Sequence, residues 1–186
     1  FFVNNLGDVT ALDVNNGSLV WQTPTQINTI YENAFSLENS DLVFENNSIY
    51  FSNNKNEFFS IDARTGTIKW AQSINSSLRP TIIENLIFTV SNEGYLFIID
   101  DLTGNIIRIT DVLKNFKDRL DIKPIGFIHA KNKVYVSLSN GRLVTINSST
   151  GIQENITKIS NSKISRPYIL NTSMYLIKDN ALAKIE

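Results

Sequence analysis

The chain has no cysteine, which excludes disulfides, thiolate metal sites and cysteine nucleophiles, and says little about compartment. It has a single histidine, His129, with no second His or Cys to share a metal. Its eight glycines stand singly, so no glycine-rich phosphate loop is present. No serine lies in a Gly-x-Ser-x-Gly elbow. Charge of one sign is also missing: 17 basic and 18 acidic residues give a formal net charge of -1, with neither a basic tract nor an acidic tail. That argues against nucleic acid or an anionic membrane surface as the main partner. No run approaches the ~20 apolar residues that span a bilayer, since even Thr81 to Val90 is interrupted by Glu84 and Asn85. No stretch has the length and periodicity for a helical bundle or a parallel α/β sheet, which leaves an all-β chain of 186 residues. The chain opens at Phe1 rather than methionine, so a signal peptide or lipid anchor is expected upstream of it.

What is present is asparagine, 24 copies of it, read as a compositional bias that makes the Asn-x-Ser/Thr matches at Asn75, Asn155 and Asn171 accidental. A repeat is also present. Asp62-Ala-Arg-Thr-Gly66 recurs as Asp100-Asp-Leu-Thr-Gly104, as Asn147-Ser-Ser-Thr-Gly151 and, more loosely, as Asp13-Val-Asn-Asn-Gly17. Ten residues before each glycine stands a second turn marker, at Gly7, Asn56, Gly94 and Gly141; four residues after it stand Trp21, Trp70, Arg108 and Asn155. Two fixed offsets in four copies define a repeat architecture.

Aligned on the glycines, short β-prone runs fall into columns. One contains Phe1-Phe2, Tyr50-Phe51, Phe88-Thr89, Tyr135-Val136 and Tyr175-Leu176; the next contains Val9 to Leu12, Phe58 to Ile61, Leu96 to Ile99, Leu143 to Ile146 and Leu182 to Ile185. A third run follows the Thr-Gly (Leu19 to Trp21, Ile68 to Trp70, Ile106 to Arg108), and a fourth opens with Arg79-Pro80, Lys123-Pro124 and Arg166-Pro167. Four antiparallel strands in about 40 to 45 residues are one β-propeller blade. The Asp or Asn of each motif accepts backbone N–H bonds and the glycine takes the positive φ of a tight hairpin.

The expected blades are 1–22 (partial), 40–72, 79–110, 122–158 and 164–186 (partial), about four and a half in all. They read as the C-terminal part of a seven- or eight-bladed ring whose last outer strand comes from an N-terminal region. A small ring closing on itself is the alternative. Two joints are long: Gln22 to Ser40, and Thr110 to Asp121, where Val112, Leu113, Phe116 and Leu120 predict a short amphipathic helix or a packed loop.

The run Asn56-Glu-Phe-Phe-Ser-Ile-Asp-Ala-Arg-Thr-Gly-Thr-Ile-Lys-Trp70, and its counterpart ending at Trp21, resemble the PQQ-type (pyrroloquinoline quinone) β-propeller repeat over nearly the whole chain. In that family the Trp after Thr-Gly docks between blades. Trp21 and Trp70 keep it while Arg108 and Asn155 depart, so the later contacts are expected to be made differently. The family holds quinoprotein dehydrogenases, with a calcium-bound quinone on the axis, and non-catalytic propellers of the BamB type, lipoprotein scaffolds in outer-membrane β-barrel assembly. The dehydrogenases' vicinal cysteines have no counterpart here, and no convergent Glu, Asn and Asp set for calcium is visible. The resemblance therefore implies a scaffold with no cofactor, with protein partners in the barrel-assembly complex, on the periplasmic side of the outer membrane of a Gram-negative bacterium. A dehydrogenase fragment or a ligand-sensing propeller is the alternative.

Among candidate residues, His129 reads as structural and the Asp100-Asp101 pair as turn capping rather than acid–base chemistry. Asp13 to Gly17 lacks the spacing and distal Glu of a calcium loop. Asp13, Gly17, Trp21, Asp62, Gly66, Trp70, Asp100, Gly104, Asn147 and Gly151 are structural repeat positions. The candidate partner contacts are Arg79, Lys123 and Arg166, which share one repeat position at the entry to the innermost strand, where a ring of cations receives an acidic loop or carboxylate. Ile27, Ile30, Tyr31, Phe35 and Phe116 in the long joints are a second candidate surface.

Overall fold

A computed structural model describes residues 1–4, 6–25 and 37–185. The described residues form five antiparallel sheets in chain order. The first holds β1 (Phe2–Val3), β2 (Val9–Leu12) and β3 (Leu19–Thr23); the second, β4 (Val43–Glu45), β5 (Ser48–Asn53), β6 (Glu57–Asp62) and β7 (Ile68–Gln72). The third comprises β8 (Thr81–Ile83), β9 (Leu86–Val90), β10 (Tyr95–Asp100) and β11 (Ile106–Asp111), and the fourth β12 (Pro124–Ala130), β13 (Lys133–Leu138), β14 (Arg142–Asn147) and β15 (Gln153–Lys158). The fifth is β16 (Tyr168–Leu170), β17 (Ser173–Lys178) and β18 (Ala181–Ile185). Every strand pairs with its neighbour in sequence, so each sheet is a meander and the whole is an all-β propeller fold.

The repeat motif makes the last hairpin of each meander. Asp62 Oδ1 accepts the backbone N–H of Arg64 (3.0 Å) and Thr65 (2.9 Å) and the Thr65 hydroxyl (3.0 Å). Asp100 repeats this with Thr103, and Asn147 with the N–H groups of Ser149 and Thr150. The motif glycine sits at φ between 72° and 76° in all four copies, and the strand register shifts by one residue just before each turn. That combination of a left-handed residue and a bulge is what closes a short hairpin with the sheet's twist. Asparagine has a related use. Of the eight non-glycine residues at positive φ among the described residues, five are Asn46, Asn47, Asn56, Asn171 and Asn180, all in hairpin turns. Asn tolerates this conformation better than other L-residues, so part of the asparagine excess has a conformational job rather than being bias alone.

Cores lie between successive sheets. Val9, Ala11 and Trp21 pack on Ile49, Phe51, Phe59 and Ile61; Tyr50 and Phe58 pack with Ile87 and Ile99; Phe88, Leu96 and Ile98 pack with Val134, Val136, Val144 and Ile146; Leu143 packs with Met174 and Leu176. Each of these large side chains contributes roughly 1.5–3 kcal/mol by burial. The middle strands explain the sequence pattern: β5 is buried at all six positions and β6 at its four central ones, so alternation disappears where both faces are covered.

Outer strands latch onto the next sheet through the position four residues past the glycine. Trp21 Nε1 donates to the Ala63 carbonyl (3.0 Å) and Trp70 Nε1 to the Asp101 carbonyl (2.9 Å). Arg108 departs from Trp in sequence yet makes the equivalent bond, its guanidinium donating to the Ser148 carbonyl at 3.1 Å. At Arg108 the contact is thus kept with a different donor, whereas the Asn155 side chain donates to Thr157 Oγ1 within its own strand, so the fourth copy departs from the latch as expected. A second latch lies two residues on: Thr23 Oγ1 and Gln72 Nε2 donate to the carbonyls of Gly66 (2.5 Å) and Gly104 (2.7 Å).

The joint after β11 is a packed loop, not an amphipathic helix. Val112 and Leu113 are buried, Phe116 is half-buried against the same core, and Leu120 is 87% exposed, so the four apolar residues do not share one face. Asp111 pins the loop by accepting from Leu113 N–H (2.9 Å) and pairing with Arg119 (2.9 Å), and only Arg119–Asp121 forms a 3-10 turn. Most of the joint from Gln22 to Ser40 lies outside the described residues.

Candidate partner-binding cleft at the inner strands

The strands that open each four-stranded sheet, with β16, are preceded by joints that bring charged residues to their entries. Pro124 is the first residue of β12, while Pro80 and Pro167 lie one residue ahead of β8 and β16; all three are buried. A proline there loses no ladder donor and fixes the entering chain.

Of the three cations at this repeat position, the structure brings two together. Arg79 and Arg166 line one cleft of about 230 Å³ with Asn39, Asp41, Leu78, Ile125, Phe127 and Tyr168. Lys123 lies outside it, exposed, with only its backbone engaged, to Ser139. Two of the three residues therefore share this cleft, with Ile125 and Gly126 of β12 in its lining, and Lys123 is not part of it.

Arg166 is held by design of its neighbours. Its Nε donates to the Phe127 carbonyl (3.0 Å) and its guanidinium lies 5.9 Å over the Tyr168 ring. A Cβ on Gly126 would fall 2.5 Å from Arg166 Cβ and 2.9 Å from its Cα, so this strand glycine exists for a close approach. Burial lowers the Arg166 pKa, Tyr168 and Asp41 act against that, and Arg79 adds to it as a like charge. The group stays cationic. Arg79 is exposed and makes no ion pair or side-chain hydrogen bond among the described residues. A second, larger opening of about 710 Å³ adjoins, sharing Asn39, Asp41 and Arg79 and lined also by Phe1, Phe2 and Val3.

Asn39, Asp41, Gly126 and Tyr168 were not singled out by sequence. Gly126 carried a readable signal, an isolated glycine inside a strand; Asp41 sits in a polar joint where nothing marks it. Of the second candidate surface, Phe116 lies among the described residues. Phe116 is half-buried on the core with Arg142 5.9 Å over its ring, and Ile27, Ile30, Tyr31 and Phe35 lie outside the described residues.

The other polar candidates are occupied by the fold. Asp13, Asp62, Asp100 and Asn147 cap hairpins, and Asp101 gives its carbonyl to Trp70. Among the described residues no group of three or more His, Cys, Asp and Glu is placed to hold a metal, and no helix is long and apolar enough to cross a membrane. The His129 ring lies 4.7 Å from that of Phe88 of the preceding sheet, tilted at 42°, and burial holds its imidazole below the ordinary value of 6.5. An unfolded chain takes up the proton that the folded one resists, so stability should fall as pH drops through about 6.5 and level off below the folded pKa. The lowered carboxylates of Asp62, Asp100, Glu154 and Asp179 lose their contribution only further down, as pH falls through their folded values. Urea midpoints measured from pH 7 to 5 should therefore slope for the wild type and flatten for His129→Gln; equal slopes would show that His129 is not the group.

These features define a β-propeller of PQQ-like repeats with a cationic cleft at its inner strands. The chain belongs to the family of the outer membrane protein assembly factor BamB, whose family model matches residues 1–110. It is 24% identical over 140 residues to outer membrane protein assembly factor BamB of Legionella pneumophila (strain Paris), a match covering 74% of this chain and 32% of that protein. The chain thus spans about a third of the length of that curated relative. Among solved structures it resembles BamB from Moraxella catarrhalis (TM-score 0.63, 14% identity, 98% of this chain and 67% of that one). It also resembles the β-propeller domain of Myceliophteria thermophila Cps50 (Swd1), with TM-score 0.72, 9% identity, and 95% and 58% covered. The computationally designed protein Ika8 is a third likeness (TM-score 0.63, 13% identity, 77% and 44% covered). At these identities the structural likenesses speak for the fold alone.

Proposed function

We propose that the chain is part of a non-catalytic protein-interaction scaffold that assists assembly of outer-membrane β-barrel proteins from the periplasmic side of that membrane. The observation that carries this reading is membership of the BamB family over residues 1–110. The polar repeat positions are compatible with it, because hairpin capping and inter-sheet latches employ them as structural groups. The proposed partner contacts are Arg79 and Arg166 in the cleft, Lys123 beside it, and Tyr31, Phe35 and Phe116 on the joints. No cofactor is required. Rigid propellers recruit partners through loops and openings at the ends of their sheets.

Capture from a solubilised outer-membrane fraction of a Gram-negative bacterium tests the reading. Recovery of a barrel-assembly component is expected, and recovery of none sinks it. Titration with pyrroloquinoline quinone and calcium tests the dehydrogenase reading, for which bound quinone absorbance is the signature.

A further inference from the structure

We infer that the cleft between Arg79 and Arg166 binds a single carboxylate carried on an apolar stem of a peptide segment. The inference deepens the scaffold reading and rests on it only in taking the ligand to be a protein segment.

The donors are present and unspent. Arg166 uses only Nε within the protein, on the Phe127 carbonyl, which fixes the plane of the guanidinium and leaves its two terminal amino groups facing no protein acceptor among the described residues. Among the described residues Arg79 has no hydrogen-bond or ion-pair partner for its guanidinium fork. The described ion pairs, Lys69 with Asp62, Arg119 with Asp111 and Lys133 with Glu154, are matched one to one, whereas in this cleft two arginines face one carboxylate, Asp41, which forms an ion pair with neither among the described residues. Two like charges lining one partly desolvated cleft repel, and the arrangement is stabilised by an anion that accepts from both.

The anion's class follows from the walls. Asp41 lines the same cleft, which reduces the net charge of the charged lining to +1 and disfavours a dianion such as phosphate. Leu78 and Ile125, both partly exposed, supply apolar surface beside the arginines, and Tyr168, 62% exposed, stands with its ring at the side of Arg166. At about 230 Å³ the space suits a carboxylate and a few carbons, not a folded element. A glutamate side chain and a peptide C-terminus share this chemistry.

The test measures binding to the full chain of three labelled peptides by fluorescence anisotropy. Acetyl-Ala-Leu-Glu-Leu-Ala-amide offers only a side-chain carboxylate, acetyl-Ala-Leu-Ala-Leu-Ala with a free C-terminus offers only a terminal one, and acetyl-Ala-Leu-Gln-Leu-Ala-amide offers neither. One or both of the first two should bind and the third should not; which of them binds identifies the source. Arg79→Gln and Arg166→Gln should each weaken binding about ten-fold or more, the loss of a charged hydrogen-bonded partner. Lys123→Gln should leave it unchanged, and Asp41→Asn should tighten it. Inorganic phosphate should compete poorly. The inference is overturned by equal binding of all three peptides, by binding of none, by retention in Arg79→Gln, by loss in Asp41→Asn, or by phosphate displacing the peptides at lower concentration than free acetate does. Arg79 is exposed and has no hydrogen-bond or ion-pair partner among the described residues, so its variant reports on binding with the fold intact. If no peptide binds while a barrel-assembly component is still captured, the cleft inference fails and the scaffold reading stands; the reverse result removes the scaffold reading instead.

Discussion

Alanine at Gly141 is expected to destabilise the protein by on the order of 3–5 kcal/mol, at the far end of single-substitution effects. Two costs combine there. Gly141 sits at φ 76°, where a Cβ crowds the following carbonyl, worth about 1–2 kcal/mol. The Cβ would also meet backbone: the carbonyl oxygens of Ser160 and Ser162, the latter at 2.6 Å, and Ser160 C at 2.7 Å. A flexible side chain would swing away, but this backbone is tied down. Ile159 and Ser160 both donate their N–H to the Gly141 carbonyl, at 2.9 and 3.1 Å, and the Ser160 and Ser162 hydroxyls donate to Asp179 Oδ1 of the fifth sheet, at 3.0 and 2.8 Å. Moving the joint therefore breaks the link between the fourth and fifth sheets. Gly17→Ala is the internal control, since Gly17 has φ 72° and nothing within 4 Å of its Cβ position, so only about 1–2 kcal/mol is at stake. Urea unfolding with an unchanged m-value measures both. A Gly141→Ala cost within 1 kcal/mol of the Gly17→Ala cost would show that the joint yields, contrary to this account.

The contrast between those glycines explains what was legible in the sequence. Both read as turn punctuation, because a turn's requirement for positive φ is local and leaves a repeated residue type at a fixed offset. The Asp-x-x-Thr-Gly hairpins were readable for the same reason, since Asp62 closes its turn within one meander, and the apolar columns such as Phe58 to Ile61 were readable because each such strand is buried between sheets in the same way. That Gly141 lies under Ser160 and Ser162, and that Gly126 lies under Arg166, depends on how one sheet's joint crosses another, which no short-range pattern records. The cleft was legible to the same extent. Repetition placed Arg79, Lys123 and Arg166 at equivalent sequence positions, but equivalence in register is not proximity. Arg79 and Arg166 share a cavity with Asp41, whereas Lys123 stands outside it. The joint after β11 went differently from its helical spacing because Asp111 captures Leu113 N–H and Arg119 and so fixes the loop by local polar bonds. Arg108 shows the opposite error, a departure in residue type that preserves the contact, since a guanidinium reaches the same carbonyl as an indole N–H.

Trp21→Ala is expected to cost about 3–5 kcal/mol, the range for truncating a large buried aromatic side chain. Trp21 is 9% exposed, stacks on Phe1 at 5.7 Å, packs with Ile49 and Phe51 and donates to the Ala63 carbonyl, so truncation opens a cavity between the first two sheets and orphans a buried acceptor. The indole also lies against Gly66. A Cβ there, at φ 76°, would fall 2.7 Å from Trp21 Cδ2 and 2.8 Å from Thr23 Oγ1. Gly66→Ala alone therefore carries the left-handed cost and a clash with the indole. In a Trp21→Ala background the ring is gone, and what remains is the left-handed cost with the contact to Thr23, whose hydroxyl can rotate. The two substitutions should be non-additive by about 1–3 kcal/mol, the double variant being less unstable than the sum, as for residues in direct contact. Additivity within about 0.5 kcal/mol would mean that the indole does not bear on the turn. The location of the damage is a second readout. Each sheet packs mainly on its neighbours in chain order, so the loss should stay at the first interface. Amide exchange should accelerate in β2, β5 and β6 and stay slow in β13 and β14, because an inter-sheet latch stabilises the pair it joins and reaches the distant sheets only through global unfolding.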